Sequence, residues 1–383
     1  MNPFVLGGGF GIYVHWPYCA AVCPYCDFNV RRDRGGEHRD LVEAIARDLQ
    51  AQAARTPARG AQSLSFGGGT PSLLSARDLT FLIEAADKAF GLAPGAEISL
   101  EANPEHYARY GEIVRAGINR LSLGVQALSG PALMMLGRRH TAAEAVRAVE
   151  AAAATGARVS IDLIYARDGQ PAKEWAGELA AALRLPIEHL SLYQLTIEAG
   201  TPFARAVARG RMAALSSELA GDLYTVTQAI CAEAGFPAYE VSNHARAPEA
   251  QARHNLIYWR SGEWVGVGPG AHGRVSLEGG RTATRAHASP KAYVAAVAKR
   301  GVGWAERETL SQTAIADEML IMGLRLNEGF PIARLEAARG RALPAAKIAE
   351  LRQADLLYAD DLLLRLTPKG RLLTDKIAEM LSD

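Results

Sequence analysis

Three cysteines close together in the sequence define the first candidate site. Cys19, Cys23 and Cys26 lie within eight positions, in the spacing C-x3-C-x2-C, and they are three of the four cysteines in the chain. Three thiolates on one short loop can bind three irons of a [4Fe–4S] cluster, whereas an electron-transfer cluster usually takes four cysteines. The fourth iron would stay open, and an open metal position is typical of a reacting site. The spacing therefore predicts a reactive iron–sulfur cluster.

Other interpretations of the cysteines remain open at this point. A zinc ion could bind the three thiolates together with His15 or a distant histidine, although the softness of the thiolate set favours iron–sulfur chemistry. A disulfide with a spare thiol is favoured less, because four cysteines in 383 residues do not form a secreted framework. The fourth cysteine, Cys231, lies in a helical pattern and is expected to be a small buried apolar residue.

Length and composition exclude several classes of protein. The 383 residues suffice for one large domain and a smaller one, and 49% hydrophobic with 22% charged residues is ordinary for a globular chain. A net charge of +1 gives no attraction to nucleic acid or anionic lipid. No apolar stretch approaches the about 18–20 residues of a membrane span, and residues 1–7 lack the basic start of a signal peptide. Because an open cluster needs a reducing compartment, we expect a cytoplasmic protein.

Residues 10 to about 240 alternate between strand and helix patterns. Six βα units in a row predict a parallel sheet. Its strands carry small polar residues among the apolar ones, and no dinucleotide fingerprint follows the first strand. We therefore predict an α/β fold, an open partial (β/α)6 barrel, with its chemistry at the carboxyl ends of the strands. The predicted strands are residues 12–15, 64–66, 97–102, 120–126, 158–165 and 189–197.

The remaining sequence divides into two parts. We expect the barrel over residues 1–240, a flanking segment rich in aromatic residues, His and Gly over 241–310, and a small helical domain over 311–383. Helices at 313–324, 332–338, 345–354 and 369–381 and a hairpin at 356–366 make this last domain winged-helix-like. Residues 341–383 contain seven Lys/Arg and seven Asp/Glu. Without a basic excess, we do not expect binding to nucleic acid.

The cysteine loop resembles the signature of the radical S-adenosylmethionine (SAM) superfamily. Further runs resemble its HemN-like branch, the family of anaerobic coproporphyrinogen III oxidase, and the similarity continues into the last domain. These runs are residues 13–15, 67–71, 100–104, 120–126, 136–140, 161–165 and 190–195. The resemblance implies that the cysteines hold a [4Fe–4S] cluster whose open iron binds SAM. The SAM contacts that it implies are Tyr13, Tyr25, Gly68, Gly69, Thr70, Glu101, Gln126, Arg138 and Asp162.

The types of these residues suit such roles. Glycines let the backbone approach a ligand closely, and a carboxylate at a strand end, such as Glu101, can accept hydrogen bonds from ribose hydroxyls. Arg138 could bind the SAM carboxylate through two hydrogen bonds. Taken alone, each carboxylate could equally be the partner of a salt bridge in the barrel, and Arg138 a solvated loop residue.

Two features separate this chain from the oxidases of the branch. Where the oxidase pattern continues with a further cysteine two positions after Cys26, this chain has Phe28. Residues 254–259 match the pattern H-N-x-x-Y-W of the heme-chaperone group in this branch. His254 could ligate heme iron, with Tyr258 and Trp259 as flat apolar neighbours for a porphyrin. His272 is a weaker second candidate, and from physical chemistry alone His254 could be a packed, hydrogen-bonded residue.

The resemblance therefore implies a heme chaperone. We expect it to bind heme, a [4Fe–4S] cluster and exchangeable SAM, to receive electrons from a donor, and to pass heme to an acceptor such as a respiratory-chain haemoprotein. The alternative is an oxygen-independent coproporphyrinogen III oxidase or another radical SAM enzyme acting on a tetrapyrrole. A radical SAM methyltransferase is not favoured, because no additional methyl-accepting cysteine is visible. The chain departs from the family at residues 166–168, where Ala-Arg-Asp replaces Gly-Leu-Pro, and this alters the loop after the fifth strand.

Overall fold

The structure is a computed structural model that describes residues 8–36, 38–57 and 60–382. Residues 1–7, on which the expectation about a signal peptide rests, lie outside this part. The strands of the described residues are β1 (Phe10–Trp16), β2 (Tyr18–Cys19), β3 (Arg31–Arg32), β4 (Ala61–Gly68), β5 (Leu92–Ala102), β6 (Arg120–Gln126), β7 (Arg158–Tyr165), β8 (His189–Gln194), β9 (Asn243–Ala245), β10 (Glu263–Val267), β11 (His272–Leu277), β12 (Gly280–Ala286), β13 (Trp304–Thr309), β14 (Phe330–Pro331) and β15 (Leu363–Leu364).

Helices follow most of the strands and cover the outer side of the sheet. The α-helices of the same residues are α1 (Arg39–Ala53), α2 (Ala76–Phe90), α3 (Tyr110–Arg115), α4 (Gly130–Met135), α5 (Ala142–Ala154), α6 (Ala172–Ala182), α7 (Pro202–Ala208), α8 (Ser217–Glu233), α9 (Arg253–Trp259), α10 (Pro290–Arg300), α11 (Gln312–Gly323), α12 (Ile332–Arg339), α13 (Ala345–Gln353), α14 (Pro368–Arg371) and α15 (Thr374–Ser382). No helix in this part of the chain is both long and apolar enough to cross a lipid bilayer.

One large sheet forms the body of the molecule. Its strand order is β13-β12-β11-β10-β1-β4-β5-β6-β7-β8-β9. The strands from β10 through β1 to β8 are parallel, and β9 and β11–β13 continue the two edges in antiparallel pairing. The six predicted strands are therefore confirmed as parallel neighbours. The sheet also continues beyond β1, through strands that come much later in the chain.

The two faces of the sheet differ in chemistry because successive side chains of a strand point to opposite sides. On the outer face, Leu64 and Phe66 of β4 are buried in the main hydrophobic core under the helices. The inner face carries small polar residues that bond across neighbouring strands. Ser65 and Ser99 are hydrogen-bonded at 2.5 Å between their Oγ atoms. This alternation gives the partial barrel a polar interior.

Local capping explains where several predicted helices begin. Ser75 precedes α2 and its Oγ accepts a hydrogen bond from the Asp78 amide at 3.1 Å. Thr141 and Glu144 form a capping box at the start of α5, which satisfies two otherwise unpaired amides. Helices α4 and α7 were not predicted; they are six and seven residues long, too short for a clear amphipathic period.

The C-terminal residues form a second hydrophobic core around α11, α12, α13 and α15. The predicted hairpin is present, since Leu357 and Leu366 form an antiparallel bridge, and its second arm pairs with β14. The predicted last helix is divided into α14 and α15. Ion pairs such as Arg325 with Glu240, 3.1 Å apart, join this unit to the barrel.

Candidate functional site

The three clustered cysteines lie on one closed loop directly after β1. Cys19 ends β2, which pairs with β3 at the far side of the loop, so this short ladder closes the base. Within the loop the Cys26 amide donates to the Cys23 carbonyl at 3.2 Å, forming a tight turn. All four cysteines of the chain are free, and Cys231 is buried on α8, as predicted. The loop thus presents three thiols at the carboxyl end of the first strand.

Packing of Pro24 holds the loop against the barrel. A Cβ at Gly137, which has a φ of +67°, would lie 2.6 Å from Pro24 Cδ, so only glycine permits this approach. The Phe203 amide donates to the Pro24 carbonyl at 3.1 Å, and the Phe203 ring lies 6.3 Å from that of Tyr25. Helices α4 and α7, between them, therefore fix the position of the cysteines.

The thiols suit the donor set of an iron–sulfur cluster. Burial raises the pKa of Cys19 to about 11, and it also raises the pKa of Cys26; the neighbouring thiols add to both shifts. The guanidinium of Arg138 donates to Cys23 Sγ at 3.4 Å and supplies positive charge where a thiolate would form. Within the described residues no three His, Cys, Asp or Glu side chains are grouped so as to hold a single metal ion. A cluster instead distributes its thiolates over separate irons, and binding them releases their protons.

The glycine run at the end of β4 packs closely on its neighbours. A Cβ at Gly67 would lie 2.8 Å from Glu101 Oε1, and one at Gly68 would lie 2.4 Å from the ring of His15. Gly68 also has a φ of +105°, which side-chain-bearing residues rarely adopt. A Cβ at Gly69 would lie 2.6 Å from a backbone oxygen of the segment entering the cysteine loop. Gly68 and Gly69 therefore need to be glycine, where a simple turn would need one, whereas the contact at Gly67 is with the end of a flexible side chain.

Two carboxylates, Glu101 and Asp162, meet in the barrel interior near this run. The Gly68 amide donates to Glu101 Oε2 at 3.1 Å, and Ser122 Oγ donates to Asp162 Oδ1 at 3.2 Å. The residue Glu101 keeps solvent-accessible surface, but protein atoms crowd around its carboxylate. Burial, with the charge of Asp162 as the next cause, raises the pKa of Glu101 to about 7. Burial also raises the pKa of Tyr13, to which the charge of Glu101 contributes, so these three predicted SAM contacts are neighbours.

Arg138 connects the cysteine loop to the strand ends. Its Nη2 donates to Asn103 Oδ1 at 2.7 Å and to the Gly124 carbonyl at 2.9 Å. Asn103 Nδ2 in turn donates to Thr70 Oγ1 at 3.4 Å. Nη1 makes one hydrogen bond, to Cys23 Sγ, and Nε makes none within the described residues, so donors of Arg138 remain for the predicted contact with a SAM carboxylate. Asn103 was not singled out from the sequence, although it lies in the run 100–104 that resembles the HemN-like branch.

Gln126 lies next to Arg138 at the end of β6. Its φ of +68° is in the left-handed region, which is strained for a residue with a side chain and is concentrated at functional sites. A Cβ on the neighbouring Gly124 would lie 3.1 Å from Gln126 Nε2 and 3.4 Å from Arg138 Nη2. The structure therefore brings Gln126 together with the other predicted SAM contacts.

His254 lies at the amino end of the barrel interior. It is on α9, where the Arg253 amide donates to Glu97 Oε1 at 2.8 Å and His254 Nδ1 lies 3.8 Å from the same oxygen. Glu97 precedes Glu101 by four positions on β5, which corresponds to about 13 Å along a strand. The structure thus places His254 towards the opposite end of the interior from Glu101, but near Asp162: burial raises the pKa of Asp162, and the charge of His254 is among the groups that oppose this shift.

Helix α9 directs its two aromatic residues to opposite sides. Tyr258 lies one turn after His254, with ring centres 6.0 Å apart, and the charge of Glu101 contributes to raising its pKa, after burial. It therefore faces the barrel interior. Trp259 instead packs against the C-terminal core, under the guanidinium of Arg325 at 4.3 Å. Trp259 follows His254 by five positions, which at 3.6 residues per turn is a net rotation of about 140° around the helix. The expectation that Trp259 would share a porphyrin surface with His254 is therefore wrong.

The unusual loop after β7 is anchored by its own residues. Ala166 has a φ of +57°, and Arg167 is buried, with Nη2 donating to Glu178 Oε2 at 2.6 Å and Nη1 to the Ile164 carbonyl at 2.9 Å. Glu178 also accepts from the Leu128 amide at 2.6 Å. The loop that departs from the family pattern in sequence is therefore tied to α6.

Comparisons with known proteins agree with this architecture. The sequence model of the radical SAM superfamily matches residues 13–180, and that of the HemN C-terminal domain matches residues 310–373. Heme chaperone HemW of Mycobacterium tuberculosis is 37% identical over 387 residues, covering 98% of this chain and 95% of that protein. The mitochondrial radical S-adenosyl methionine domain-containing protein 1 of Danio rerio is 36% identical over 382 residues, covering 96% and 85%. The solved structure of coproporphyrinogen III oxidase (HemN) from Escherichia coli has a TM-score of 0.81 at 21% identity, covering 100% of this chain and 92% of that one.

Proposed function

Because the chain belongs to the radical SAM family that includes heme chaperone HemW, we propose that it binds heme, a [4Fe–4S] cluster and SAM, and that it delivers the heme to an acceptor protein. The observation that carries this proposal is the position of α9. Its His254 and Tyr258 face the same polar interior whose other end holds the cysteines and the candidate SAM contacts. A cargo site and a cofactor site would then share one compartment.

In this proposal Cys19, Cys23 and Cys26 hold the cluster. Such a cluster, when bound, offers an open iron to SAM and an electron from an external donor. The chain's own contribution is to fix the donors: Arg138 donates a hydrogen bond to Cys23 Sγ, and the ionised form of Glu101 accepts hydrogen bonds from ribose hydroxyls.

Heme is the cargo, and His254 is the proposed ligand of its iron. His254 Nδ1 is buried and makes no hydrogen bond within the described residues, so Nε2 is the nitrogen available to a metal. Tyr258 offers a flat ring beside it. The further partners are an acceptor haemoprotein and an electron donor, and the proposed location is the cytoplasm, since an open cluster requires a reducing environment.

The side chain of Phe28 supports a chaperone over a porphyrinogen oxidase. It follows Cys26 by two positions, where the oxidase pattern has a further cysteine, and it is 64% exposed beside the cysteine loop. An apolar side chain cannot supply the thiol of the extended oxidase pattern. We therefore propose that the chain lacks coproporphyrinogen decarboxylation.

The test is a titration with hemin of the anaerobically reconstituted protein, followed at the Soret band. We expect saturable binding that His254→Ala weakens at least about tenfold, as for loss of a metal contact. His272→Ala is the matched control, because His272 is the other candidate from the sequence and begins β11, whereas His254 lies on α9. Turnover of coproporphyrinogen III with release of 5′-deoxyadenosine, in the absence of a stable heme complex, would refute the proposal in favour of an oxidase.

A further inference from the structure

Glu97 is a buried carboxylate of the barrel interior that accepts hydrogen bonds from several groups. It is buried in the middle of β5, and its Oε2 accepts from Arg120 Nη1 at 3.1 Å and from Arg158 Nη1 at 3.4 Å. Its Oε1 accepts from the Arg253 amide at 2.8 Å. Two guanidinium groups, those of Arg120 and Arg158, thus face its buried charge. The side chain is therefore a fixed anion at neutral pH.

One buried atom of His254 faces this anion. Nδ1 is shielded from solvent and has no hydrogen-bond partner among the described residues, and Glu97 Oε1 lies 3.8 Å away. Because a water-sized molecule does not reach Nδ1, a heme iron cannot reach it either. A carboxylate beside one ring nitrogen favours the tautomer that carries its proton there, which leaves the lone pair on the other nitrogen.

We propose that Glu97 is the positioning residue of His254: it accepts a hydrogen bond from Nδ1–H, fixes the ring and its tautomer, and so presents Nε2 to the iron of heme. This inference rests on the proposed heme binding at His254. His254 Nδ1 and Glu97 Oε1 are 3.8 Å apart, so a small movement of either side chain brings them to hydrogen-bond distance. Helix α9 is already bound to Glu97 through the amide of Arg253. A carboxylate behind a ligating histidine also raises the basicity of the ligand, which favours ferric over ferrous iron.

The chain offers a matched control in Glu188. This residue shares Arg158 with Glu97, since Arg158 Nε donates to Glu188 Oε1 at 2.7 Å. Glu188 is half-exposed, and in the described part of the chain it makes no ion pair with His254. Replacing Glu188 thus disturbs the same arginine without touching the proposed contact.

The experiment compares wild type, Glu97→Gln, Glu188→Gln and His254→Ala by hemin affinity and by the ferric/ferrous midpoint potential of the bound heme. We expect Glu97→Gln to bind hemin about 10- to 100-fold more weakly and to hold it at a more positive potential, while Glu188→Gln matches wild type. If Glu97→Gln keeps the wild-type affinity and potential while His254→Ala loses binding, the role of Glu97 is overturned and the heme site at His254 stands. Unchanged binding in His254→Ala would instead overturn the heme site itself.

A second measurement covers the case in which Glu97→Gln does not fold, since the variant leaves Arg120 buried without its anion. Nitrogen-15 NMR of wild-type protein with labelled histidine reports the tautomer of each neutral ring at alkaline pH. His254→Gln identifies the signals of His254 by their absence. We expect the proton on Nδ1; a proton on Nε2 would overturn the proposal, because the ligating nitrogen would then be blocked.

Discussion

The affinity for SAM is expected to fall as the pH drops through about 7. The reason is Glu101, whose pKa is raised from its usual range to about 7 by burial and by the charge of Asp162. Only the ionised carboxylate has both oxygens free to accept hydrogen bonds from ribose hydroxyls. Below pH 7 this form becomes scarce, and each pH unit reduces it about tenfold. The dissociation constant of SAM at pH 6 should therefore be about tenfold higher than at pH 8.

Two substitutions test the origin of this dependence. Glu101→Gln should bind SAM weakly at every pH, with a flat profile, because no group titrates at that position. Asp162→Asn removes the charge that contributes to the raised pKa of Glu101, so the midpoint of the profile should move to lower pH. It should remain above the usual range of a glutamate, because burial is the larger cause.

The assay is equilibrium dialysis of SAM against anaerobically reconstituted protein between pH 6 and 8.5. The iron content and the cluster absorbance are measured at each pH, so that cluster loss is not mistaken for weaker binding. A wild-type affinity that is constant over this range would refute the role assigned to Glu101. A pH dependence that persists unchanged in Glu101→Gln would assign the titration to another group.

Two further predictions concern the stability of the fold. Gly68→Ala should lower the free energy of unfolding by about 1–3 kcal/mol in chemical denaturation, because Gly68 has a positive φ and packs closely on its neighbours. The control Gly130→Ala should be tolerated, since Gly130 is at an open helical position. Arg120→Met should cost about 3–5 kcal/mol of unfolding free energy by leaving Glu97 buried without its main cation. Arg285→Gln, which removes an exposed ion pair, should leave the free energy of unfolding unchanged. An equal loss of unfolding free energy in Arg120→Met and Arg285→Gln would contradict this reasoning.

Local patterns in the sequence predicted the strands and their order. Strands β6 and β7 have the bounds expected from their patterns. Signals of this kind depend on residues within a few positions of each other, so a single sequence contains them. The strands also bring together the candidate residues Glu101, near the end of β5, and Asp162, within β7, so that the charge of Asp162 adds to the effect of burial in raising the pKa of Glu101.

Contacts between distant parts of the chain could not be predicted in the same way. Strand β5 begins at Leu92, five positions before the predicted start, because its first residues pair with β4. Which side of α9 faces the barrel depends on Glu97 and Arg325, far away in the sequence. The roles of the individual site residues stay predictions, since they concern ligands rather than the fold.

The position of β1 between β4 and β10 has a consequence for biosynthesis. Gly11 pairs with Ser63 of β4 soon after both emerge from the ribosome, but Phe10 pairs with Glu263 of β10, about 250 positions later. At typical synthesis rates, about 10–40 s pass between the synthesis of β4 and that of β10, and one edge of β1 is unpaired during this time. An unpaired strand edge invites association with other chains. The nascent protein therefore carries an open edge beside its cysteine loop until two thirds of the chain has been made.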